Sequence, residues 1–219
     1  MSMLKVCGNY LPVDLDLLQE VEDQIDHIGF IFTPVSKRWV SQEQVAKWME
    51  EYPFLKEKAV GVFLNQELSE VEQMIQTTGI KHVQLHGEET PSFCEELKKR
   101  YLVSLWKVFS VEEGQINQDI TPYASVIDHV LLDTKVKGIS GGTGIQFDWS
   151  IIPPIYQKLS AYNLNLWIAG GISPDNITEL LKEYPLDGVD LASGVEGRKG
   201  KDKEKLYQLI ERMRHYAQR

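Results

Sequence analysis

The sequence predicts a single-domain α/β protein in which eight parallel strands close into a (β/α)8 TIM barrel. Short β-branched or aromatic runs alternate with longer amphipathic segments along the whole chain, which indicates parallel strand pairing. Eight such units of about 27 residues account for all 219 residues, and this length is typical of a complete barrel. We therefore expect one domain that spans residues 1–219.

The composition is that of a globular protein with an acidic surface. The chain is 42% hydrophobic and 25% charged, and 23 Lys and Arg against 32 Asp and Glu give a net charge of −9. A protein that tracks nucleic-acid phosphates needs a basic face, and an electrostatic membrane anchor needs a polybasic cluster. The charge balance argues against nucleic acid and against a membrane surface as partners.

The predicted compartment is the cytoplasm. No apolar run approaches the roughly 18 residues of a membrane-spanning helix, and the N-terminal segment lacks the apolar core of a signal peptide. The two cysteines, Cys7 and Cys94, lie far apart in the sequence, whereas a secreted scaffold stapled by disulfides would carry more.

The strands and helices are predicted from runs of apolar residues and from apolar residues at helical spacing, respectively. The predicted strands are Leu4–Cys7, His27–Phe32, Ala59–Phe63, His82–Leu85, Leu102–Val108, His129–Asp133, Leu166–Ala169 and Gly188–Leu191. The predicted helices are Val13–Val21, Ser41–Tyr52, Leu68–Thr78, Pro91–Arg100, Gly114–Tyr123, Ser150–Leu159, Pro174–Glu183 and Lys203–Ala217. The helical pattern is weakest at Gly114–Tyr123 and at Ser150–Leu159, which contains two consecutive prolines.

A doubly wound open sheet is the structural alternative, since it too alternates strands with helices. The first predicted strand lacks the GxGxxG motif that a dinucleotide-binding version would carry. In a barrel the active site lies where strands end and βα loops begin. The candidate site residues are therefore those that follow the carboxyl ends of the predicted strands.

Glycine-rich turns follow the last three predicted strands, at Gly141–Gly144, Ala169–Ile172 and Ala192–Gly194. The loops after the seventh and eighth strands of such barrels commonly bind phosphate through backbone N–H groups. Glycine suits this role because the backbone can approach the phosphate oxygens closely. Each turn alone is explained as a simple tight turn, but three in succession favour a phosphate site.

Cys7 ends the first strand, where its thiolate could act as a general base or a nucleophile. Such a role needs a pKa below that of a free thiol, and Lys5, on the same strand face, could supply positive potential. A small buried hydrophobic residue is the alternative. Cys94 lies in the middle of a predicted helix, where packing is the better interpretation.

Asp133 and Arg38 are the other candidates at strand ends. A carboxyl group at Asp133 can be a general acid only if its surroundings raise its pKa towards neutrality; a helix cap or loop hydrogen bond is the alternative. Arg38 offers a two-pronged donor for a substrate carboxylate, a geometry that Lys37 cannot match. A solvated surface arginine is the alternative there.

The histidines do not suggest a metal site, because they show no HExxH spacing and the chain contains no CxxC. We interpret His86 as a residue of the barrel mouth and His82 as structural. The mixed-sign stretch Arg198–Lys205 is interpreted as a solvated lead-in to the last helix.

Six segments together resemble one family, the phosphoribosylanthranilate isomerases, which are barrel enzymes of tryptophan biosynthesis. They are LKVCG (Leu4–Gly8), IGFIFTPVSKRWVS (Ile28–Ser41), VQLHGEE (Val83–Glu89), LLDTKVKGISGGTGIQFDW (Leu131–Trp149), AGGISPDNI (Ala169–Ile177) and GVDLASGVE (Gly188–Glu196). The segments occur in order and cover six of the eight predicted units. The chain departs from the family at Asn9–Asp14, after the first strand, and at Gln24–Asp26, before the second.

The resemblance implies catalysis of the Amadori rearrangement of N-(5-phosphoribosyl)anthranilate, with Cys7 as general base and Asp133 as general acid. It also implies that Arg38 holds the anthranilate carboxylate. The remaining residues implied in substrate binding are His86, Gly142, Thr143, Gly144, Gly170, Gly171, Ser193 and Gly194. No metal or cofactor is expected, because the reaction consists of proton transfers at carbon and oxygen. The expected partner is the small-molecule substrate, and the expected state is a monomer or homodimer.

Three other functions are weighed against this one. A phosphosugar epimerase would want a set of metal-binding His and Asp residues, and an aminoaldose isomerase of histidine synthesis would carry an aspartate in place of Cys7. A phosphate-binding barrel without catalysis would keep the glycine loops but lose Cys7 or Asp133. The residues present favour the phosphoribosylanthranilate isomerase.

Overall fold

A computed structural model describes residues 2–134 and 147–217, and in these residues eight parallel strands form a closed barrel. The barrel strands are Met3–Val6 (β1), His27–Ile31 (β2), Ala59–Phe63 (β3), His82–Leu85 (β4), Ser104–Glu112 (β5), His129–Thr134 (β7), Asn165–Ile168 (β8) and Gly188–Leu191 (β9). A short strand, Gln115–Ile116 (β6), pairs antiparallel with the end of β5.

Helices between the strands cover the outside of the barrel. They are Pro12–Glu20 (α1), Gln42–Glu51 (α2), Leu55–Lys58 (α3), Leu68–Thr78 (α4), Pro91–Arg100 (α5), Ile152–Ser160 (α6), Ile177–Glu183 (α7) and Lys203–Ala217 (α8). The predicted cap at Ser41 is confirmed, since its side chain accepts a hydrogen bond from the Gln44 N–H. No helix in the two described ranges is long and apolar enough to cross a bilayer.

Two strand pairings close the barrel and exclude the open-sheet alternative. β1, the first strand, pairs in parallel with β9, the last, and β4 pairs in parallel with β5. No sheet edge is therefore left between the eight barrel strands, which confirms the predicted (β/α)8 fold. Because all eight strands are parallel, their carboxyl ends meet at one mouth.

The helix predicted at Gly114–Tyr123 is wrong. The chain instead makes a two-residue hairpin turn at Glu113 and Gly114, which both have positive φ (52° and 74°), and returns as β6. A turn with positive φ at both central residues matches the twist of the flanking strands. Only Thr121–Tyr123 forms a single 3-10 turn before β7.

The start of α7 also differs from the predicted Pro174. The helix begins at Ile177, because the Asn176 side chain holds the preceding segment in a turn. Its Oδ1 accepts from the Ser173 N–H at 2.9 Å, and its Nδ2 donates to the Gly171 carbonyl at 2.8 Å. The turn thereby orients the loop that follows β8.

The apolar core has two parts. The larger part lies between the strands and the surrounding helices, and the smaller part fills the barrel itself. Inside the barrel, the Trp106 and Trp167 rings pack with centroids 4.5 Å apart against Val108, Leu131 and Ala169. Burial of such large side chains stabilises the closed barrel, and offset aromatic pairs add roughly 0.5–1.5 kcal/mol beyond the buried area.

Three histidines form a cluster with these tryptophans at the amino-terminal end of the barrel: His27 and His129 contact the tryptophan rings, and His82 contacts His27. His27, His82 and His129 are the first residues of β2, β4 and β7. The His27 ring lies 4.7 Å from that of His82 and 5.0 Å from that of Trp106. Burial lowers the pKa of His27 to about 3 and that of His129 to about 4, so both rings are neutral in the folded protein at pH 7.

This cluster predicts that acid destabilises the protein. The unfolded chain protonates His27 near its ordinary pKa of 6.5, whereas the folded chain binds that proton only near pH 3. Stability present at pH 7 is therefore lost as the pH falls below 6.5, by about 1.4 kcal/mol per pH unit for one histidine. His27→Phe keeps an aromatic ring, and we expect its free energy of unfolding to depend less steeply on pH by that amount.

Chemical denaturation at several pH values between 4 and 7 measures this slope. His215→Phe is the matched control, because the His215 side chain is 73% exposed on α8. Equal slopes for wild type and His27→Phe would contradict the prediction.

Candidate active site

A cavity of about 100 Å³ lies at the carboxyl ends of the strands and collects most of the residues that the sequence predicts for the site. Those residues are Cys7, Arg38, His86, Asp133, Gly170, Gly171, Ser193 and Gly194. The predicted Gly142, Thr143 and Gly144 lie outside the described residues. Gln84, Thr134 and Asp190 also line the cavity.

Cys7 follows β1, and its side chain lies above a buried ion pair. Lys5, two residues earlier on the same strand face, is fully buried and donates to the Asp190 Oδ2 at 2.7 Å. The two residues are brought together by the β1–β9 register, in which Lys5 faces Asp190. The Lys5 charge also favours the ionised form of Cys7 and so acts to lower its pKa.

The pKa of the Cys7 thiol is raised, in contrast to the lowered value that sequence reasoning requires of a base. Burial is the largest cause, since Cys7 is only 6% exposed, and the Asp190 carboxylate adds to it. Lys5 and Lys201 act in the opposite direction. Cys7 is therefore a thiol at neutral pH in the free protein, and its thiolate is a strong base when it forms.

Asp133, near the end of β7, has the raised pKa that a general acid needs. Burial is the main cause, the charge of Asp190 adds to it, and the pKa reaches about 7. The Thr134 backbone and Lys5 oppose this shift. A large share of the Asp133 side chains thus carries a proton at neutral pH, in a cavity that also contains a thiol.

His86 follows β4 and contacts Asp133, with 3.5 Å between its Nε2 and the Asp133 Oδ2. Burial, assisted by the charges of Lys107 and Lys5, lowers the pKa of His86 to about 4. The imidazole is therefore neutral at pH 7, and the contact joins a neutral ring to the carboxyl group. His86 lies at the mouth, as predicted.

The loop after β4 is held by a second buried ion pair. Lys107 on β5 is fully buried and donates to the Glu89 Oε2 at 3.1 Å and to the Gly87 carbonyl at 2.5 Å. The Glu89 carboxylate in turn accepts from the N–H groups of Asn65 and Gly87. This network fixes the main chain next to His86.

The Arg38 guanidinium is buried, not solvated, and its two-pronged donor is already occupied by Glu196. Its Nε donates to the Glu196 Oε1 at 2.5 Å and its Nη2 to the Oε2 at 2.8 Å. Nη1 makes no hydrogen bond to any residue in the described ranges, and it is the nitrogen left for a further anion. Gly8 allows this arrangement, since a Cβ at that position, where φ is +72°, would lie 2.4 Å from the Arg38 Cδ.

Sequence reasoning missed Lys201, which lies in the stretch predicted to be a solvated lead-in. Its side chain is 1% exposed, and its ammonium contacts Glu196 and the Cys7 carbonyl. The local pattern of mixed charges gave no signal for this burial. Glu196 itself, at the end of the GVDLASGVE segment, was likewise not identified as a site residue.

The loop after β8 lines the cavity with its main chain at Gly170 and Gly171. The N–H groups of Gly170 and Gly171 make no hydrogen bond to any described residue. Gly170 has φ +83°, and a Cβ there would lie 2.3 Å from the Thr134 Oγ1 and 2.8 Å from the Asp133 Oδ1. The absence of a side chain thus lets this loop approach the end of β7. Ser193 and Gly194 lie in a single 3-10 turn beside it.

Three buried polar atoms in the cavity also lack a partner among the described residues. They are the Gln84 Oε1, the Thr134 Oγ1 and the Asp190 Oδ1. A buried polar atom without a hydrogen bond is costly. Their position suits a ligand that carries several hydroxyl groups.

Other candidate features lie elsewhere. A cavity of about 140 Å³ at the opposite end of the barrel is lined by residues such as Asp23, Asp26 and Arg214, away from the strand ends. Cys94 is fully buried in α5, and burial raises its pKa to about 12, which agrees with a packing role. In the described part of the chain, no group of three or more His, Cys, Asp or Glu side chains is arranged to hold a metal ion.

Comparison with known proteins finds relatives over nearly the whole chain. The family model for N-(5'-phosphoribosyl)anthranilate (PRA) isomerase matches residues 4–212. The N-(5'-phosphoribosyl)anthranilate isomerase of Bacillus subtilis (strain 168) is 38% identical over 214 residues, which cover 98% of this chain and 96% of that protein.

Two solved structures are similar over nearly the whole chain. The phosphoribosyl anthranilate isomerase of Thermotoga maritima is 30% identical, with a TM-score of 0.80, and the match covers 98% of this chain and 100% of that one. A phosphoribosyl anthranilate isomerase in complex with reduced 1-(o-carboxyphenylamino)-1-deoxyribulose 5-phosphate is 29% identical, with a TM-score of 0.78 and the same coverage of both chains. With the full-length family match, these likenesses show that the chain belongs to the phosphoribosylanthranilate isomerase family.

Proposed function

We propose that the protein converts N-(5-phosphoribosyl)anthranilate to 1-(2-carboxyphenylamino)-1-deoxyribulose 5-phosphate in tryptophan biosynthesis, by general acid–base catalysis. The observation that supports this function most strongly is that Asp133, a buried carboxyl group with a pKa of about 7, lies in the same cavity as the buried thiol of Cys7. An acid that is protonated at neutral pH and a base that is strong once ionised are the two groups that an Amadori rearrangement requires.

Asp133 acts first, as the general acid. It protonates the ring oxygen of the ribose as the C1–O bond breaks, and the bonding electrons move to that oxygen. The lone pair of the anthranilate nitrogen forms a C=N bond to C1, which gives a protonated Schiff base. The raised pKa of Asp133 keeps a proton available for this step at neutral pH.

Cys7 acts second, as the general base. Its thiolate removes the proton from C2, the C2–H electrons form a C1=C2 bond, and the C=N electrons return to nitrogen. The resulting enol-amine tautomerises to the ketone product. The Lys5 and Lys201 charges favour the thiolate that this step needs. Well-placed acids and bases of this kind each contribute roughly 10²- to 10⁴-fold to the rate.

The rest of the cavity accounts for the other parts of the substrate. We assign the sugar phosphate to the loops at Gly170–Gly171 and Ser193–Gly194, because the Gly170 and Gly171 N–H groups are free among the described residues. The Nη1 of Arg38 is assigned to the anthranilate carboxylate. The unpartnered oxygens of Gln84, Thr134 and Asp190 are assigned to ribose hydroxyls, together with the neutral ring of His86.

The site favours this function over a barrel that only binds phosphate. A binding barrel has no need of a buried carboxyl group with a pKa near neutrality next to a thiol, and such a pair costs stability. We place the enzyme in the cytoplasm, in agreement with its two free cysteines, as a monomer or homodimer.

A fluorescence assay with freshly generated N-(5-phosphoribosyl)anthranilate tests the reaction. We expect the wild-type protein to change the anthranilate signal rapidly and to yield the carboxyphenylamino-deoxyribulose phosphate, identified by mass and chromatography. A folded wild-type protein that binds a sugar phosphate without turnover would support the phosphate-binding barrel instead.

Replacement of the acid and the base tests their roles. We expect Cys7→Ala and Asp133→Asn each to lower kcat at least 10²-fold, because each removes one proton-transfer group. Their affinity for the product analogue named above should stay within threefold of wild type. Cys94→Ala removes a buried thiol far from the cavity and is the control for Cys7→Ala. Near-normal turnover in either site variant would show that its assigned role is wrong.

The raised pKa values predict the pH profile of kcat/KM. The active form carries a Cys7 thiolate and a protonated Asp133, although Asp133 loses its proton at about pH 7, before Cys7 does. Below about pH 7 we expect kcat/KM to fall tenfold per unit, because the thiolate fraction falls. Above about pH 7 we expect kcat/KM to stay level, because the fraction of Cys7 thiolate rises while the fraction of protonated Asp133 falls. At a pH above the pKa of Cys7, kcat/KM falls again. An acid limb near pH 4 would show that Asp133 has an ordinary pKa.

A further inference from the structure

The segment between β9 and α8 contains a buried lysine in an otherwise exposed charged stretch. Arg198, Lys199 and Lys203 are exposed, whereas the Lys201 side chain is only 1% exposed. The segment folds back on itself through an antiparallel bridge between Glu196 and Lys201. This fold carries the Lys201 side chain under the mouth of the barrel.

The Lys201 ammonium lies among three acceptors. Its Nζ is 2.6 Å from the Cys7 carbonyl oxygen, 3.3 Å from the Ala192 carbonyl oxygen and 3.4 Å from the Glu196 Oε1. Three acceptors match the three N–H groups of an ammonium, whereas a neutral amine has only two. The geometry therefore favours the charged form, although burial lowers the pKa of Lys201.

Lys201 changes the charge that Arg38 presents to the cavity. Arg38 and Glu196 form a two-pronged pair whose charges cancel. Because Lys201 shares the same carboxylate, the side chains of Arg38, Glu196 and Lys201 together carry one net positive charge. The neighbouring Asp14 carboxylate is buried and accepts hydrogen bonds from the backbone N–H groups of Tyr10, Leu11 and Lys201. Without that positive charge, a substrate carboxylate would approach a neutral pair from which little attraction remains.

We propose that Lys201 is a positioning residue of the isomerase reaction: by sharing Glu196 with Arg38 it leaves one positive charge for the substrate carboxylate, and it holds the main chain at Cys7. The inference rests on the proposed function, since it concerns the same substrate and the same thiol. In this interpretation Lys201 supplies the positive charge that attracts the substrate carboxylate, because Arg38 paired with Glu196 has no net charge.

The same charge acts on the thiol. Lys201 lowers the pKa of Cys7 against the effect of burial, and the charged groups that face Cys7 are Lys5, Asp190, Arg38 and Lys201. The groups that face Lys201 in turn are Cys7, Asp14, Arg38 and Glu196. Removal of the Lys201 charge should thus disfavour both the bound carboxylate and the thiolate.

Steady-state kinetics of four variants test the proposal. Lys201→Met removes the charge at nearly constant side-chain length, and we expect KM to rise about tenfold, as for the loss of one charge-assisted contact. Lys201→Arg keeps the charge and should keep KM within threefold. Lys205→Met is the matched control, because the exposed Lys205 side chain donates to the Glu196 carbonyl and not to its carboxylate, and we expect KM to stay unchanged.

The fourth variant distinguishes the effect of the Lys201 charge from a structural role of its side chain. In Lys201→Met the cluster has no net charge, whereas the double variant Lys201→Met/Glu196→Gln has one positive charge again, on Arg38. We expect the double variant to bring KM back to within threefold of wild type. A purely structural role predicts the opposite, since the double variant removes a second group from the network.

The pH profile gives a second readout. In Lys201→Met the alkaline limb of kcat/KM should move to higher pH, because Cys7 loses a nearby cation. Should Lys201→Met fail to fold, the double variant leaves no unpaired buried carboxylate and, with Lys201→Arg, still decides the question.

Three results would overturn the proposal: an unchanged KM in Lys201→Met, a KM in the double variant raised as much as in the single one, or a raised KM in Lys201→Arg. Absence of turnover in the wild type would contradict the proposed function instead. Inorganic phosphate, as a competitive inhibitor, should bind all variants equally, which shows that the phosphate loops are intact.

Discussion

The site depends on the buried ion pair between Lys5 and Asp190 inside the barrel. The Lys5 Nζ and the Asp190 Oδ2 lie 2.7 Å apart. Removal of one member of such a pair leaves an unpaired buried charge and destabilises the folded protein by about 3–5 kcal/mol. Because the two charges have opposite signs, they shift the pKa values of Cys7 and Asp133 in opposite directions. Lys5 favours the ionised forms of Cys7 and Asp133, and Asp190 disfavours them.

Burial therefore decides the outcome at both groups. It raises the pKa of Asp133 to about 7 and raises that of the Cys7 thiol as well. The protein thus makes its acid mainly by removing water from a carboxyl group, and the charge of Asp190 adds to the effect. The same burial keeps the thiolate fraction of Cys7 small, and Lys5 on β1 and Lys201 in the loop before α8 act against this effect. Closure of the barrel is what places these groups around one cavity.

The fold and most of the site could be predicted from the sequence because both depend on local patterns and on barrel topology. Strand boundaries follow from short apolar runs, and parallel closure brings the strand ends of Cys7, Asp133 and Gly170 to one mouth. The helix predicted at Gly114–Tyr123 failed because Glu113 and Gly114 adopt a left-handed hairpin turn. The strand that follows this turn, β6, has only two residues, and so short a strand shows no alternation that could be distinguished from a helical pattern.

The electrostatics could not be predicted, because they depend on residues that are distant in the sequence. Arg38 is paired with Glu196, 158 residues away, and Lys201 reaches the Cys7 carbonyl across 194 residues. No local pattern distinguishes Lys201 from its exposed neighbours. The sign of the Cys7 pKa shift likewise depends on burial and on Asp190, which only the β1–β9 pairing brings near.

Burial and Asp190 together hold a proton on Asp133 at neutral pH. A ¹³C NMR titration of protein labelled at the aspartate side-chain carboxyl measures this protonation, with Asp133→Asn to assign the resonance. We expect the Asp133 signal to titrate with a pKa of about 7. A titration near the ordinary value of 3.8 would contradict it, because Asp133 would then be a carboxylate throughout the working range of the enzyme.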